Sequence, residues 1–169
     1  ITGLKINEIE KVIGADKKII RSMPNTAISV RKSLTCICSN DTGSQFLDLC
    51  VSIFNSVGKA IIIDESKMQS ATVMCASGIA FWMRIIRAMA QGGVELGFEA
   101  KDSLEISYRT AEGAISLLEK NKTHPEQEID KVTTPSGCTI KGIIEMENKG
   151  LSSAIIHGLI SSHEKINNI

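Results

Sequence analysis

Apolar positions along the first third of the chain alternate between two periods. Ile6, Ile9 and Ile13 recur at helical spacing and predict a short amphipathic helix stopped by Gly14. Lys18 to Ser22 then reads as a short strand, ended by Pro24, which has no N–H to give to a ladder. A second strand is predicted over Leu34–Cys38. Phe46, Leu49, Cys50, Ile53, Phe54 and Val57 predict a helix from Thr42 to Val57 with Gly58 as its stop. Ala60–Ile63 is a compact β-branched run before Asp64. Strand, helix and strand in that order form a βαβ unit, and the all-apolar strands predict a sheet covered on both faces.

After Asp64 the pattern is helical only. Ser70–Leu96 is a long candidate, apolar nearly all round and therefore expected to be central and buried. Ala76, Ser77, Gly78 and Ala80 form a patch of small side chains, fit for tight helix packing or for a ligand's close approach. The Gly92-Gly93 pair costs about 1 kcal/mol per glycine in a helix interior, so a bend or a close contact is expected there. Asp102 to Glu105 resembles a capping box, and Leu104, Tyr108, Ala111, Ile115 and Leu118 continue one face. Pro125 opens a further short helix, and Thr133–Thr139 reads as a turn. A helix bearing Ile140, Ile143 and Ile144 runs from there to Gly150, and Ser152 is a candidate cap for the last one. So many wide apolar faces point to burial against a second copy; a self-contained bundle is the alternative.

Composition narrows the partners. The 169 residues hold 19 basic and 19 acidic side chains, a balance that argues against nucleic acid or an anionic membrane surface. An apolar share of 43% suffices for a real core. Aromatic residues make up only 4%, so that core is built from aliphatic side chains and leans helical. The length suits one domain, or one domain plus part of another. With Ile1 at the start and no leader-like segment, the native N-terminus is expected elsewhere. Arg84 and Arg87 interrupt the most hydrophobic stretch, which speaks against a membrane span. Cys36, Cys38, Cys50, Cys75 and Cys138 contain no C-x-x-C pair and read as reduced structural thiols, in keeping with a cytoplasmic setting. His124, His157 and His163 have no metal-ligand spacing, so no metal site is expected.

The stretch with chemical content is Val132-Thr133-Thr134-Pro135-Ser136-Gly137-Cys138-Thr139-Ile140, which runs straight into a helix. Free amides at a helix start attract anions, Gly137 admits a close approach, and the hydroxyls of Thr134, Ser136 and Thr139 can add hydrogen bonds. The turn itself has no Lys or Arg, which suits a small carboxylate better than a polyphosphate. Simple capping of the helix by Ser136 or Thr139 is the competing reading.

This segment, preceded by Asp130-Lys131, resembles the C-terminal signature of the pyrroline-5-carboxylate reductase family, roughly D-x-V-T/S-T/S-P-G-G-T-T-I. Other landmarks follow in the family's order. Arg21-Ser22-Met23-Pro24-Asn25-Thr26 is similar to R-x-M-P-N-T, and Ala90-Gln91-Gly92-Gly93-Val94 with Gly97 is similar to A-D-G-G-V-x-x-G. His124-Pro125 precedes the signature, and Gly150-Leu151-Ser152-Ser153-Ala154 resembles G-F-R-S-A. The resemblance implies a remnant of a Rossmann-type α/β nucleotide-binding domain over 1–64. An all-α substrate-binding and dimerisation domain would follow over 65–169, leaving the chain mostly helical.

By the same resemblance the whole protein would pass a hydride from NADPH (or NADH) to the C=N carbon of 1-pyrroline-5-carboxylate, giving L-proline in the last step of proline biosynthesis. Val132, Thr134, Ser136, Gly137 and Cys138 would bind substrate. Thr139 would bind it and orient the ring nitrogen, as the catalytic residue. Asn25, Ser77 and Gly78 would face the cofactor. Partners would be the substrate and a second copy, with a larger assembly of dimers left open; nucleic acid, membrane and metal are not expected.

Departures stand at Cys75, Ala76 and Ile79 in a segment resembling S-G-S-G-P-A, at Ser136 and Cys138, and at Ala27 and Arg31-Lys32-Ser33. Ser136 is strained if its position needs φ > 0. Thr2-Gly3 matches the end of the family's S-x-A-A-G segment, and no G-x-G-x-x-G occurs in these residues, so the fragment alone is expected to be inactive. A non-catalytic dimerisation module, a divergent paralogue and a hydroxy-acid dehydrogenase are the alternatives.

Overall fold

The computed structural model describes residues 3–167. Ile1 and Thr2, on which two of the readings above rest, lie outside the described residues. Residues 3–80 with 157–167 make one compact unit and residues 81–156 another.

The first unit is α/β. Helix α1 (Ile6–Ile13) leads to β1 (Ile20–Met23), which starts two residues later than the sequence pattern suggests. A 3-10 turn at Thr26–Val30 reverses the chain into β2 (Ser33–Ser39). Another 3-10 turn, Asp41–Phe46, takes up the start of the predicted helix and leaves α2 as Leu47–Asn55. Strand β3 (Gly58–Ile62) completes a three-stranded sheet of order β1-β2-β3. β2 and β3 are parallel, as the βαβ pattern requires, whereas β1 pairs with β2 antiparallel.

β2 is central and covered on both faces. Cys36 and Cys38 pack with Ile6, Ile19, Met68, Ala71 and Cys75. Ser33, Thr35 and Ile37 alternate to the other face, where α2 lies against β2 and β3. Gly58 does not stop α2 but opens β3, where a Cβ would collide with the Ser33 carbonyl across the ladder. β3 departs from the two-face expectation: it is an edge strand, and Ile61 and Ile62 are exposed.

Polar side chains fasten the corners. Asn40 accepts the Ile19 and Gly43 amides at 3.0 and 2.9 Å and donates to Glu10 and to the Lys17 carbonyl, both at 2.8 Å. Glu65 accepts the first amide of α1, from Ile6, at 2.7 Å and pairs with Arg21 at 2.6 Å. Arg21 is only 11% exposed, so this pair is far less screened than the surface pairs of the helices.

The predicted long helix begins as α3 (Met68–Ala71), widens into a π turn over Thr72–Ser77 and continues as α4 (Gly78–Glu95). The expectation that it is buried fails within the chain: Trp82 and Met83 are 61% and 63% exposed. The exclusion of a membrane span is also narrower than it looked, because Glu65–Glu95 is long and apolar enough to cross a bilayer by length and composition alone.

Then follow α5 (Ala100–Asn121), α6 (Pro125–Val132), α7 (Cys138–Asn148) and α8 (Leu151–Asn167). α5 starts before the suggested box, with Asp102 in its first turn and Glu99 as N-cap. Ser152 lies inside α8 and donates to Glu147 at 2.8 Å instead of capping. Gly93 meets its expected close contact: a Cβ there would collide with Ser103, whose hydroxyl donates to the Ala90 carbonyl at 2.6 Å.

Candidate functional site

In the second unit, α6 and α7 are joined by the chemically suggestive turn. His124 caps α6 by accepting the Glu126 amide at 3.3 Å, and Pro125 fits its first turn, where no amide is needed. Near its start Glu128 gathers Lys131 at 2.6 Å together with the Thr123 hydroxyl and the Asn121 amide. These donors, Lys131 foremost, hold the Glu128 carboxyl down at about 2.

Val132 closes α6, and the chain then turns through Thr134, Pro135, Ser136 and Gly137. The Gly137 amide donates to the Thr134 carbonyl at 2.9 Å, and Ser136 has φ +58°. Proline at the second position and a left-handed residue at the third are the marks of a type II turn, whose third position favours glycine. The strain anticipated at Ser136 is therefore present. Gly137 is needed for a different reason: its φ is −69°, but a Cβ would strike the Thr134 hydroxyl.

α7 starts at Cys138 with Gly137 as N-cap, and no side chain caps it. Capping by Ser136 or Thr139 is thus not what the turn does. Thr134, Ser136, Cys138 and Thr139 are exposed, as is Val132, and Gly137 is half-buried. An uncapped start of an 11-residue helix, flanked by hydroxyls, can receive one small anion.

Asn25, Ser77 and Gly78 belong to the first unit. Asn25 is the N-cap of the turn after β1, and its side chain accepts the Ala27 amide at 3.0 Å and donates to the Cys75 carbonyl at 3.1 Å. Ser77 ends the π turn, and Gly78, which is buried, begins α4. The π register left no sequence signal, since the same small and β-branched residues suit an α-helix. Nor did spacing reveal the Arg21–Glu65 pair, whose members are 44 residues apart.

All five cysteines are free. Cys36, Cys38 and Cys75 are core residues, but Cys138 is exposed and so is not a packing thiol. Burial, reinforced by the neighbouring Cys75, pushes the Cys36 thiol up to about 12, and burial raises Cys38 as well. Among the described residues no cluster of three or more His, Cys, Asp or Glu could hold a metal ion.

A family model described as pyrroline-5-carboxylate reductase dimerisation matches residues 65–169. Pyrroline-5-carboxylate reductase 1 of Dictyostelium discoideum is 44% identical over 177 residues, which take in 98% of this chain and 32% of that protein. Reductase 2 of the same organism is 44% identical over 180 residues, with 98% and 60% covered. A crystal structure of Plasmodium falciparum pyrroline carboxylate reductase with NADP bound superposes at a TM-score of 0.90 with 27% identity. That match covers 98% of this chain and 67% of the other. The chain thus spans about a third to three fifths of the length of these curated relatives. The likeness takes in sheet and helices alike: the α/β part is a remnant of a Rossmann-type domain, and an all-helical domain follows it.

Proposed function

The chain belongs to the pyrroline-5-carboxylate reductase family, and on that premise we propose that it forms the substrate-binding and dimerising part of such a reductase. In this reading residues 1–64 are the trailing part of the dinucleotide-binding domain, and residues 65–169 are the helical domain that holds substrate and pairs with a second copy. The observation that carries it is the uncapped start of α7 behind the Thr134–Gly137 turn.

The carboxylate of 1-pyrroline-5-carboxylate sits against the first amides of α7, where the helix end carries partial positive charge. Val132 and Ser136 shape the rim, the Thr134 hydroxyl adds a hydrogen bond, and Gly137 and Cys138 contribute backbone. Thr139, in the first turn of α7, turns its hydroxyl to the ring nitrogen and fixes which face of the C=N bond is presented. The chemistry that NADPH (or NADH) supplies when bound is a hydride for the imine carbon. Toward the nicotinamide end the chain offers Asn25 and the small residues Ser77 and Gly78, which let a planar ring approach. The pyrophosphate calls for a glycine-rich turn that these 169 residues do not contain, so the chain by itself is not expected to turn over.

Dimerisation is supported by the helical region. Between residues 81 and 156 only Ser103 and Ser107 are buried, so its apolar faces are at most partly covered within the chain. A groove of about 470 Å³ lined by Met83, Ile86, Val94 and Leu104 fits side chains of a second copy. Arg84 and Arg87 in the middle of α4 favour protein over lipid as the cover. A larger assembly of dimers is compatible with this arrangement. Free thiols suit the cytoplasm, and balanced charge argues against a nucleic-acid partner.

The test is consumption of NADPH in the presence of 1-pyrroline-5-carboxylate by the full-length gene product. Thr139→Ala is expected to lower kcat/KM at least tenfold, the size of one hydrogen bond made in the transition state, without changing the oligomeric state. No NADPH oxidation by the full-length wild type would leave a divergent paralogue or a non-catalytic dimerisation module in its place.

A further inference from the structure

The helical run after β3 changes register. α3 is followed by six π residues, Thr72–Ser77, in which the Gly78 amide reaches back five residues to the Val73 carbonyl, and α4 then resumes the ordinary turn. Such segments are rare and costly and cluster at functional sites. Two contacts support this one. The Thr72 hydroxyl donates to the Met68 carbonyl at 2.9 Å, sharing that acceptor with the Thr72 amide at the point where the helix widens. From the sheet, Asn25 Nδ2 donates to the Cys75 carbonyl at 3.1 Å. In an α register that carbonyl would take the Ile79 amide, so a donor from outside the helix lowers the cost of the wider turn.

Asn25 is itself held in place. Its Oδ1 accepts the Ala27 amide, and its backbone N–H donates at 3.1 Å to Ser33 Oγ, which is buried and shares a hydrogen bond with Thr35 at 3.3 Å. Cys75 is anchored a second time through its thiol, 3.6 Å from Cys36 Sγ in β2. A rigid amide thus points at the middle of the π segment, and Ser77 ends that segment.

We propose that Asn25 is a positioning residue: through the Cys75 carbonyl it holds Thr72–Ser77 in the π register, and thereby sets where the backbone of Ser77 and Gly78 meets the nicotinamide end of the cofactor. The register clamp stands on the geometry alone; its effect on the cofactor rests on the reductase reading above. Asn25 then acts through the helix, whether or not it also touches the cofactor.

The test uses the full-length protein with Asn25→Ala and Asn25→Asp. The aspartate keeps an oxygen for the Ala27 amide and replaces the donor to Cys75 with an oxygen that repels the carbonyl, so it covers the case in which the alanine variant does not fold. Amide exchange over residues 76–80 is expected to rise about tenfold, the size of one lost hydrogen bond, with β2 and β3 unchanged. KM for NADPH is expected to rise about tenfold while KM for 1-pyrroline-5-carboxylate stays within twofold. A general loss of folded protein would instead lower the maximal rate and leave both KM values alone. Thr72→Val, which removes the other support without touching Asn25, is expected to move the same readouts by less.

Exchange over 76–80 at the wild-type rate in both Asn25 variants would overturn the clamp. Faster exchange with an unmoved KM for NADPH would overturn the positioning role. A wild type that oxidises no NADPH sinks the reductase reading instead, and the exchange comparison still decides the clamp.

Discussion

β2 and α4 are both rich in apolar residues, yet they meet opposite surroundings. Cys36, Ile37 and Cys38 are at most 3% exposed, whereas Trp82, Met83 and Met89 in α4 are more than half exposed. β2 is enclosed by neighbours from its own chain: β1 and β3 on its edges, α1 and α3 on one face, α2 on the other. Residues 81–156 enclose only two serines. Apolar content therefore does not tell whether a surface is covered from within the chain. A sheet carries its partners in the next few elements of sequence, while the open helical array has few of its own.

The most forceful way to break this contrast is to charge the helical groove. Leu104→Arg places an unpaired cation among Met83, Ile86 and Val94, and should weaken self-association at least a hundredfold, about 3 kcal/mol. Sedimentation equilibrium reads it directly, and a wild-type monomer would end the contrast. Next in size is Ile37→Ala in the sheet, where a fully buried side chain leaves a cavity. Its urea midpoint should fall by the equivalent of about 3 kcal/mol with an unchanged slope, and the dimer dissociation constant should not move. Loss of association in this variant would mean that the two regions are not energetically separate.

A smaller gain is expected from Ser136→Gly. The left-handed φ costs a side-chain-bearing residue more than the extra chain entropy of glycine, so thermal unfolding should report roughly 0.5 kcal/mol of stabilisation. A loss of stability would contradict the turn geometry.

A further effect concerns pH. Cys36 is raised from 9.0 to about 12 when folded. Above pH 9 the unfolded chain releases this proton first, so the native state binds more protons and stability declines with rising pH. The contribution is complete below pH 9 and lost on approach to pH 12. Urea midpoints compared between pH 8 and pH 11 should fall less steeply in Cys36→Ala than in wild type.

Much of the candidate site was legible because it is local. Thr134-Pro135-Ser136-Gly137 is a turn by residue type alone, and the helix after it follows from Ile140, Ile143 and Ile144. The strain at Ser136 could be anticipated because backbone conformation depends on a residue and its nearest neighbours. The antiparallel entry of β1 could not be read, since Lys18–Ser22 has no marker of direction, and its orientation depends on how the turn at Thr26–Val30 closes. The π turn and the Arg21–Glu65 pair were equally hidden, because their partners are brought from distant positions by packing.

From the sequence alone came the period of each segment, the βαβ order, the stops at Gly14 and Pro24, the signature turn and the resemblance it carries. These depend on side-chain periodicity and on residues with restricted or permissive dihedrals, properties present before any contact forms. Tertiary structure alone decided that β2 is the enclosed strand, that Asn25 grips the Cys75 carbonyl, and that α4 is left open to solvent. The physical reason is that burial and hydrogen-bond partners belong to pairs of segments, and a pair does not exist until the chain has folded back on itself.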